Sequence, residues 1–336
     1  MKTNIRENNT QCCTLSNGII LDTLAQVECH PCKKAYHTLQ KRALAKKYTN
    51  EILYPLIDLK NEREQSYWNT YHCVKTLLQD THGKVTSSYC KNRWCIVCNR
   101  IRTGILINTY SKPISDVDSC FLTLTSDWTS KCVTRDDLEH TIDHYKIVFR
   151  KIHWRLKRKY GNLGVIRKLE VTWNTEKKWF HPHFHVILEN KNDSAEFFRT
   201  QWLKEFPNAL WYNNRISVTN SNTVNEMFKY FTKMWKKDKH ENLVLPYPPD
   251  VMDQMFDVLY RQRVIQSYGK WYGMASDDFN VEQANVFLNE QRAEPIVWNW
   301  EQDLGTWVDY ETGCLLYTSD AADEGLGVDL GGRRII

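Results

Sequence analysis

Three groups of residues in the 336-residue chain have the types and spacing of working chemistry. In His181-Pro-His183-Phe-His185, an extended backbone would send successive side chains to opposite sides. His183 and His185 then project together, and two imidazoles can share one metal ion. His181 falls on the same side, but Pro182 donates nothing to a sheet and belongs at a strand start or edge, which makes His181 the weaker ligand. Cys90-Lys-Asn-Arg-Trp-Cys95-Ile-Val-Cys98 gathers three thiols, and Cys73 stands upstream as a fourth, a donor set suited to tetrahedral Zn²⁺. Arg100 and Arg102 follow at once, cations placed to meet the phosphates of duplex DNA. In Glu226-Met-Phe-Lys-Tyr230-Phe-Thr-Lys233, helical spacings of four and three would bring Glu226 and Lys233 beside Tyr230. A phenol titrates near pH 10 and attacks poorly at neutral pH unless a cation stabilises the phenolate, which Lys233 and a metal can do. Plainer roles stand beside these: Tyr230 as a core position, and Glu226 as the partner of Thr223 in a capping box.

Such side chains need a scaffold, and the surrounding pattern supplies one. The alternating run 120–125 predicts a strand. A helix is predicted over 135–160, capped by Thr134 with Asp137, with Leu138, Ile142, Tyr145, Phe149, Ile152 and Leu156 as its buried stripe. Arg155, Lys157 and Arg158 belong to its basic faces, which serve either as solvated surface or as contacts to a DNA backbone. Strands over 165–173 and 180–188, joined by the polar 174–178, predict a hairpin. If it turns at Glu176 and Lys177, Glu170 lies opposite His183 on the same face. A carboxylate beside two histidines suits Mg²⁺ or Mn²⁺. Further helices are predicted over 195–206, 224–236 and 249–267, with a strand over 215–219. A basic helical stretch covers 33–48. Cys29-His-Pro-Cys32 forms a second C-x-x-C pair, with Cys12 or Cys13 as possible partners, while Cys120 and Cys132 suit a core.

Taken jointly, these motifs resemble the plasmid rolling-circle replication initiators (Rep) of the HUH endonuclease superfamily. Phe121-Leu-Thr-Leu-Thr125 resembles their first motif, His181 to His185 their metal motif, and Lys229-Tyr230-Phe-Thr-Lys233 their tyrosine motif, in the same order. The stretch from Cys90 to Arg102 is similar to the cysteine cluster that precedes the nuclease domain in one Rep family, and Tyr260 to Gly269 to the segment that follows it. The likeness covers about residues 70–280; residues 1–65 stand outside it, and no second tyrosine nucleophile lies close to Tyr230. The resemblance implies an α+β chain: an HUH fold with a central antiparallel sheet and helices, preceded by a small zinc-binding module. It implies that Tyr230 attacks an origin phosphate, giving a 5′-phosphotyrosine link and a free 3′-OH for a polymerase. Mg²⁺ or Mn²⁺ on His183, His185 and Glu170 would polarise the phosphate, Lys233 would stabilise charge, and Glu226 would activate water for termination. The implied partners are hairpin or single-stranded plasmid origin DNA, a host polymerase and, because no G-x-x-x-x-G-K-[ST] loop is present, a host helicase. Relaxases and related transposases use the same chemistry, but relaxases generally place the tyrosine before the histidines. A zinc-dependent DNA-binding regulator without nuclease activity is the alternative from another class.

The expected organisation is an accessory segment (1–65), a cysteine-rich module (66–115), a nicking and strand-transfer domain (116–290), a truncated segment (291–313) and a tail (314–336). The tail resembles a translated sequencing adapter, so it is set apart from the fold and the natural C-terminus is expected to be missing. The net charge of +5 suggests a polyanionic partner. With 42% hydrophobic and 25% charged residues, and 12% aromatic, the composition is globular and excludes a disordered chain. No apolar run approaches the roughly 18 residues that span a bilayer, and the N-terminus lacks a signal-peptide block. A bacterial cytoplasmic protein is expected, away from membranes, in which the 11 cysteines stay reduced and are free to bind metal.

Overall fold

The computed structural model describes residues 30–126, 132–229, 236–237, 243–260, 262–275, 279–288 and 291–316. Tyr230, Lys233, Cys12, Cys13 and Cys29 therefore lie outside the described residues, as does the tail from 317 onward. The chain is a mixed α+β protein whose principal sheets are antiparallel. It divides into two compact units, one formed by residues 48–73 and 89–284, the other by the described parts of 1–47, 74–88 and 285–336.

Helix α1 (His30–Ile57) is longer than the basic stretch predicted within it. The larger unit continues with α2 (Glu64–Tyr71), α3 (Ile96–Ser115), β3 (Ser119–Leu124), α4 (Arg135–Tyr160), β4 (Val165–Asn174), β5 (Trp179–Glu189), α5 (Ser194–Glu205), β6 (Ile216–Val218), α6 (Ser221–Phe228), the two-residue strands β7 (Lys236–Lys237) and β8 (Leu243–Val244), α7 (Pro249–Tyr260) and β9 (Ile265–Tyr268). The other unit holds β1 (Thr76–Gln79), β2 (Lys84–Ser87), β10 (Val286–Phe287), β11 (Ile296–Glu301) and β12 (Thr306–Asp309), in the sheet order β10-β2-β1-β11-β12. Residues 314–316, where the tail begins, run back along β12 through a bridge from Leu315 to Val308.

In the larger unit the sheet order is β6-β3-β5-β4-β9. Its hairpin β4–β5 has the predicted register, with Glu170 opposite His183. The turn forms because Asn174 Oδ1 accepts from the amides of Glu176 and Lys177, while Lys178 takes a positive φ. One face of this sheet is the core. Phe184, Val186 and Leu169 are buried there. The α4 stripe covers them, Tyr145 and Phe149 meeting Phe184 edge-on at 5.7 and 5.6 Å between ring centres. Helix α4 begins and ends where its cap and apolar spacing predict, and both halves of the Thr134–Asp137 capping box are made. Arg167 is 2% exposed on this face, and its guanidinium lies 4.7 Å from the Phe184 ring centre, which compensates its burial by cation–π contact. The last turn of α4 and the β9 edge close tightly: a side chain at Gly164 would strike Trp271, and at Gly269 (φ +64°) it would strike the Leu163 carbonyl.

Three expectations are corrected. Helix α6 ends at Phe228 rather than continuing to 236, since Lys229 turns to extended backbone (ψ 112°). Its capping box is Asn220 with Thr223, one turn earlier than the Thr223–Glu226 pair, so Glu226 is not a cap. Helix α7 stops at Tyr260, because residues 265–268 are drawn into the sheet as β9, pairing with Val165–Lys168 of β4. Cys120 and Cys132 are buried, as a core role requires. Among the described residues, no helix is long and apolar enough to cross a membrane.

Candidate functional site

The face of the β6–β9 sheet opposite the α4 core carries the chemistry. Strand alternation brings Lys168 and Glu170 of β4 beside His183 and His185 of β5. One ligand atom each from Glu170, His183 and His185 lies within 4.8 Å of the others, while His181 is not in that group. Its Nε2 shares a 2.9 Å hydrogen bond with Thr125 Oγ1. His183 donates from Nδ1 to the His181 carbonyl at 3.2 Å, which places its proton there and leaves Nε2 as the free lone pair. His185 Nδ1 shares a 3.3 Å hydrogen bond with Thr123 Oγ1, and its Nε2 stands 3.5 Å from Glu170 Oε2. Alternating residues of β3 and the residue just past it thus orient the histidines: Thr125 meets His181, Thr123 meets His185, and Phe121 stacks on the His185 ring at 5.2 Å.

Electrostatics prepare these groups for a cation. Burial pushes His183 down to about 3 and His181 down to about 4, so both imidazoles are neutral at physiological pH. Burial opposes the charge on Glu170, yet the nearby Lys168 ammonium, followed by His185, holds its carboxyl well below the usual carboxylate range. Glu170 Oε2 is buried with no hydrogen-bond donor aligned to it. A buried carboxylate beside two imidazoles, with one oxygen 3.1 Å from the Lys168 ammonium and 3.5 Å from His185 Nε2, is a donor set that fits a divalent metal ion.

A second cluster joins Cys73, Cys90, Cys95 and Cys98, again with ligand atoms within 4.8 Å of one another. Cys73 Sγ is 3.6 Å and Cys90 Sγ 3.8 Å from Cys98 Sγ. Tetrahedral zinc with Zn–S bonds of about 2.3 Å requires about 3.8 Å between sulfurs. The amides of Cys90 and Cys98 donate to the sulfurs of Cys73 and Cys95. Hydrogen bonds from Cys73, Cys95 and Cys98 favour a thiolate on Cys90, while burial pushes the Cys95 thiol up. A full set of thiolates this close together needs a cation at the centre. Cys95 also caps α3.

The remaining site residues are distributed. Glu226 pairs with Lys229 at 3.3 Å, both side chains partly exposed. Arg102 is 5% exposed and turned inward, donating to the carbonyls of Lys91 and Asn92 and to Asn99 Oδ1. It shapes the cysteine loop and faces protein, not solvent. Arg100 is half-buried, and burial lowers its pKa. Arg155 bonds Glu205 and Gln201 of α5. Lys157 and Arg158 are exposed, Arg158 lying 4.7 Å over the ring of exposed Trp154.

A model of the family described as "Replication protein" matches residues 84–302, well over half of the chain. The chain belongs to the replication protein family. The match to the family includes Cys90, Cys95, Cys98, Glu170, both histidines and Tyr230, and begins after Cys73. Relatives called Protein rep are similar in part. One from Staphylococcus aureus is 37% identical over 122 residues, covering 34% of this chain and 50% of that protein. Another from Streptococcus pneumoniae is 32% identical over 111 residues (31% and 33%), and one from Bacillus amyloliquefaciens 32% identical over 131 residues (37% and 36%). The matched regions therefore span a third to a half of these relatives' length. No solved structure matches.

Sequence reasoning about this family member missed Lys168, Thr123 and Thr125. Lys168 had a signal: it stands two residues before Glu170, hence on the same strand face, as one of few charges in an apolar run. The threonines lie in the Phe121–Thr125 stretch that resembles the family's first motif, where alternation with Phe121 puts them on the histidine side.

Proposed function

We propose that this protein initiates rolling-circle replication of a plasmid by nicking one strand of the origin with Tyr230, as an HUH endonuclease. The observation that carries the reading is the convergence of Glu170, His183 and His185 on one sheet face in a member of the replication protein family. The Tyr230 oxygen would attack the scissile phosphorus, the P–O3′ bond would break, and the products would be a 5′-phosphotyrosine link and a free 3′-OH. Mg²⁺ or Mn²⁺, held by His183, His185 and Glu170, would neutralise charge on the phosphate when bound. Lys233 would stabilise the phenolate, and Glu226, partly exposed beside Lys229, would activate water at termination. Exposed Lys157 and Arg158, with Trp154 between base-stacking and cation–π roles, and Arg100 would contact origin DNA. A host helicase and polymerase complete the reaction in the bacterial cytoplasm. Incubation with a supercoiled plasmid library and Mn²⁺ should yield a nick at one sequence with protein on its 5′ side; no nick under any metal condition overturns the reading.

We assign Zn²⁺ to the four cysteines on their sulfur spacing. Elemental analysis of purified protein should find one tightly held zinc per chain. Cys95→Ser removes a ligand and the α3 cap together, and should release the zinc and lower the unfolding temperature, read by circular dichroism. Full zinc retention in that variant would refute the assignment.

A further inference from the structure

Helix α6 leads directly into Lys229 and Tyr230, so where its last turn is held decides where the tyrosine segment begins. The final carbonyls of any helix lack intrahelical donors, and two of those in α6 are satisfied from distant elements. Thr103 of α3 donates from Oγ1 to the Phe228 carbonyl at 2.8 Å. Lys168 of β4 donates from Nζ to the Glu226 carbonyl at 3.1 Å. That same ammonium lies 3.1 Å from Glu170 Oε2, and Lys168 is only 3% exposed. A cation is favoured at a helix C-terminus, and a buried ammonium is tolerated only beside a carboxylate. One side chain meets both demands.

We propose that Lys168 is a positioning residue that fixes the end of α6 against the Glu170–His183–His185 cluster, so that Tyr230 starts from a set point relative to the metal-binding groups. This rests on the reading of Tyr230 as nucleophile and adds to it the part that sets its approach. Stacking of Tyr110 on Phe228, 5.5 Å between ring centres, holds the same helix end from α3 and leaves Lys168 to set its relation to β4.

The test measures α6 itself as well as its consequence. In Lys168→Met, which keeps length and apolar volume, amide hydrogen exchange in the peptide spanning α6 should quicken at least tenfold. At saturating Mn²⁺, which supplies Glu170 with a counter-charge, the single-turnover rate of adduct formation should fall more than tenfold with oligonucleotide affinity unchanged. Lys168→Gln, whose amide can still donate to the Glu226 carbonyl, should recover part of both. Thr103→Val, acting on the other carbonyl, should slow the adduct by several-fold; it also covers the case in which Lys168→Met fails to fold. Unchanged α6 exchange, or a rate restored fully by more Mn²⁺, overturns the positioning role. Failure of the nucleophile reading looks different: the parent protein forms no Tyr230 adduct, while α6 exchange still responds to Lys168→Met.

Discussion

Tyr230→Phe is expected to lose the covalent adduct with a labelled single-stranded origin oligonucleotide completely, while its unfolding temperature and its affinity for the oligonucleotide stay at parental values. The substitution keeps the ring and removes one oxygen, so packing is conserved and only the nucleophile is lost. A covalent link conserves the phosphodiester's energy and allows later rejoining, which hydrolysis by water does not. A denaturing gel should therefore show the shifted band for the parent and none for the variant, and mass mapping should place the parent's link on residue 230. Glu226 refines the same experiment. Because the α6 cap is Asn220 with Thr223, Glu226→Ala removes no capping bond and should change stability by less than about 0.5 kcal/mol. It should still form the adduct and fail to release it. An adduct that persists in Tyr230→Phe and maps to another tyrosine overturns the assignment.

What the sequence made legible is what local patterns encode. Helix α4 carries its own cap and its own apolar stripe, and both ends fall where they indicate. The β4–β5 hairpin was readable because a short polar turn fixes register and alternation fixes faces, so Glu170, His183 and His185 could be placed together before any coordinates. The end of α6 was not readable: its carbonyl partners Lys168 and Thr103 lie 58 and 125 residues away. Nor was the end of α7, where residues 265–268, Ile-Gln-Ser-Tyr, are taken up by the sheet edge on β4. The pairing of Thr76 with Asn299 spans 223 positions, and nothing local announces it. Arg102 shows the opposite failure. A cation next to a cysteine cluster suggests phosphate, yet the loop's own carbonyls claim its guanidinium. Composition tells that a charge is present; only the backbone around it tells which way it turns.

His183→Ala and His185→Ala are expected to lower nicking by more than about 100-fold, beyond the 10–100-fold typical of removing a group that merely orients a ligand. The reasoning begins with protonation. Burial keeps His183 neutral, and the Lys168 ammonium keeps Glu170 ionised, so these two donors are ready at neutral pH. Loss of either imidazole leaves one imidazole and the Glu170 carboxylate to hold a divalent ion. Origin binding should survive, because in the proposed reading it draws on exposed cations such as Lys157 and Arg158 on α4, which packs against the other face of the sheet. Thr123→Val should fall between parent and ligand variants, since Thr123 touches only the far nitrogen of His185. EDTA should abolish nicking by the parent, and Mn²⁺ in excess should restore it. If nicking persists undiminished in EDTA, or if His183→Ala nicks at the parental rate, these side chains are not metal ligands and the three converging donors serve the fold alone.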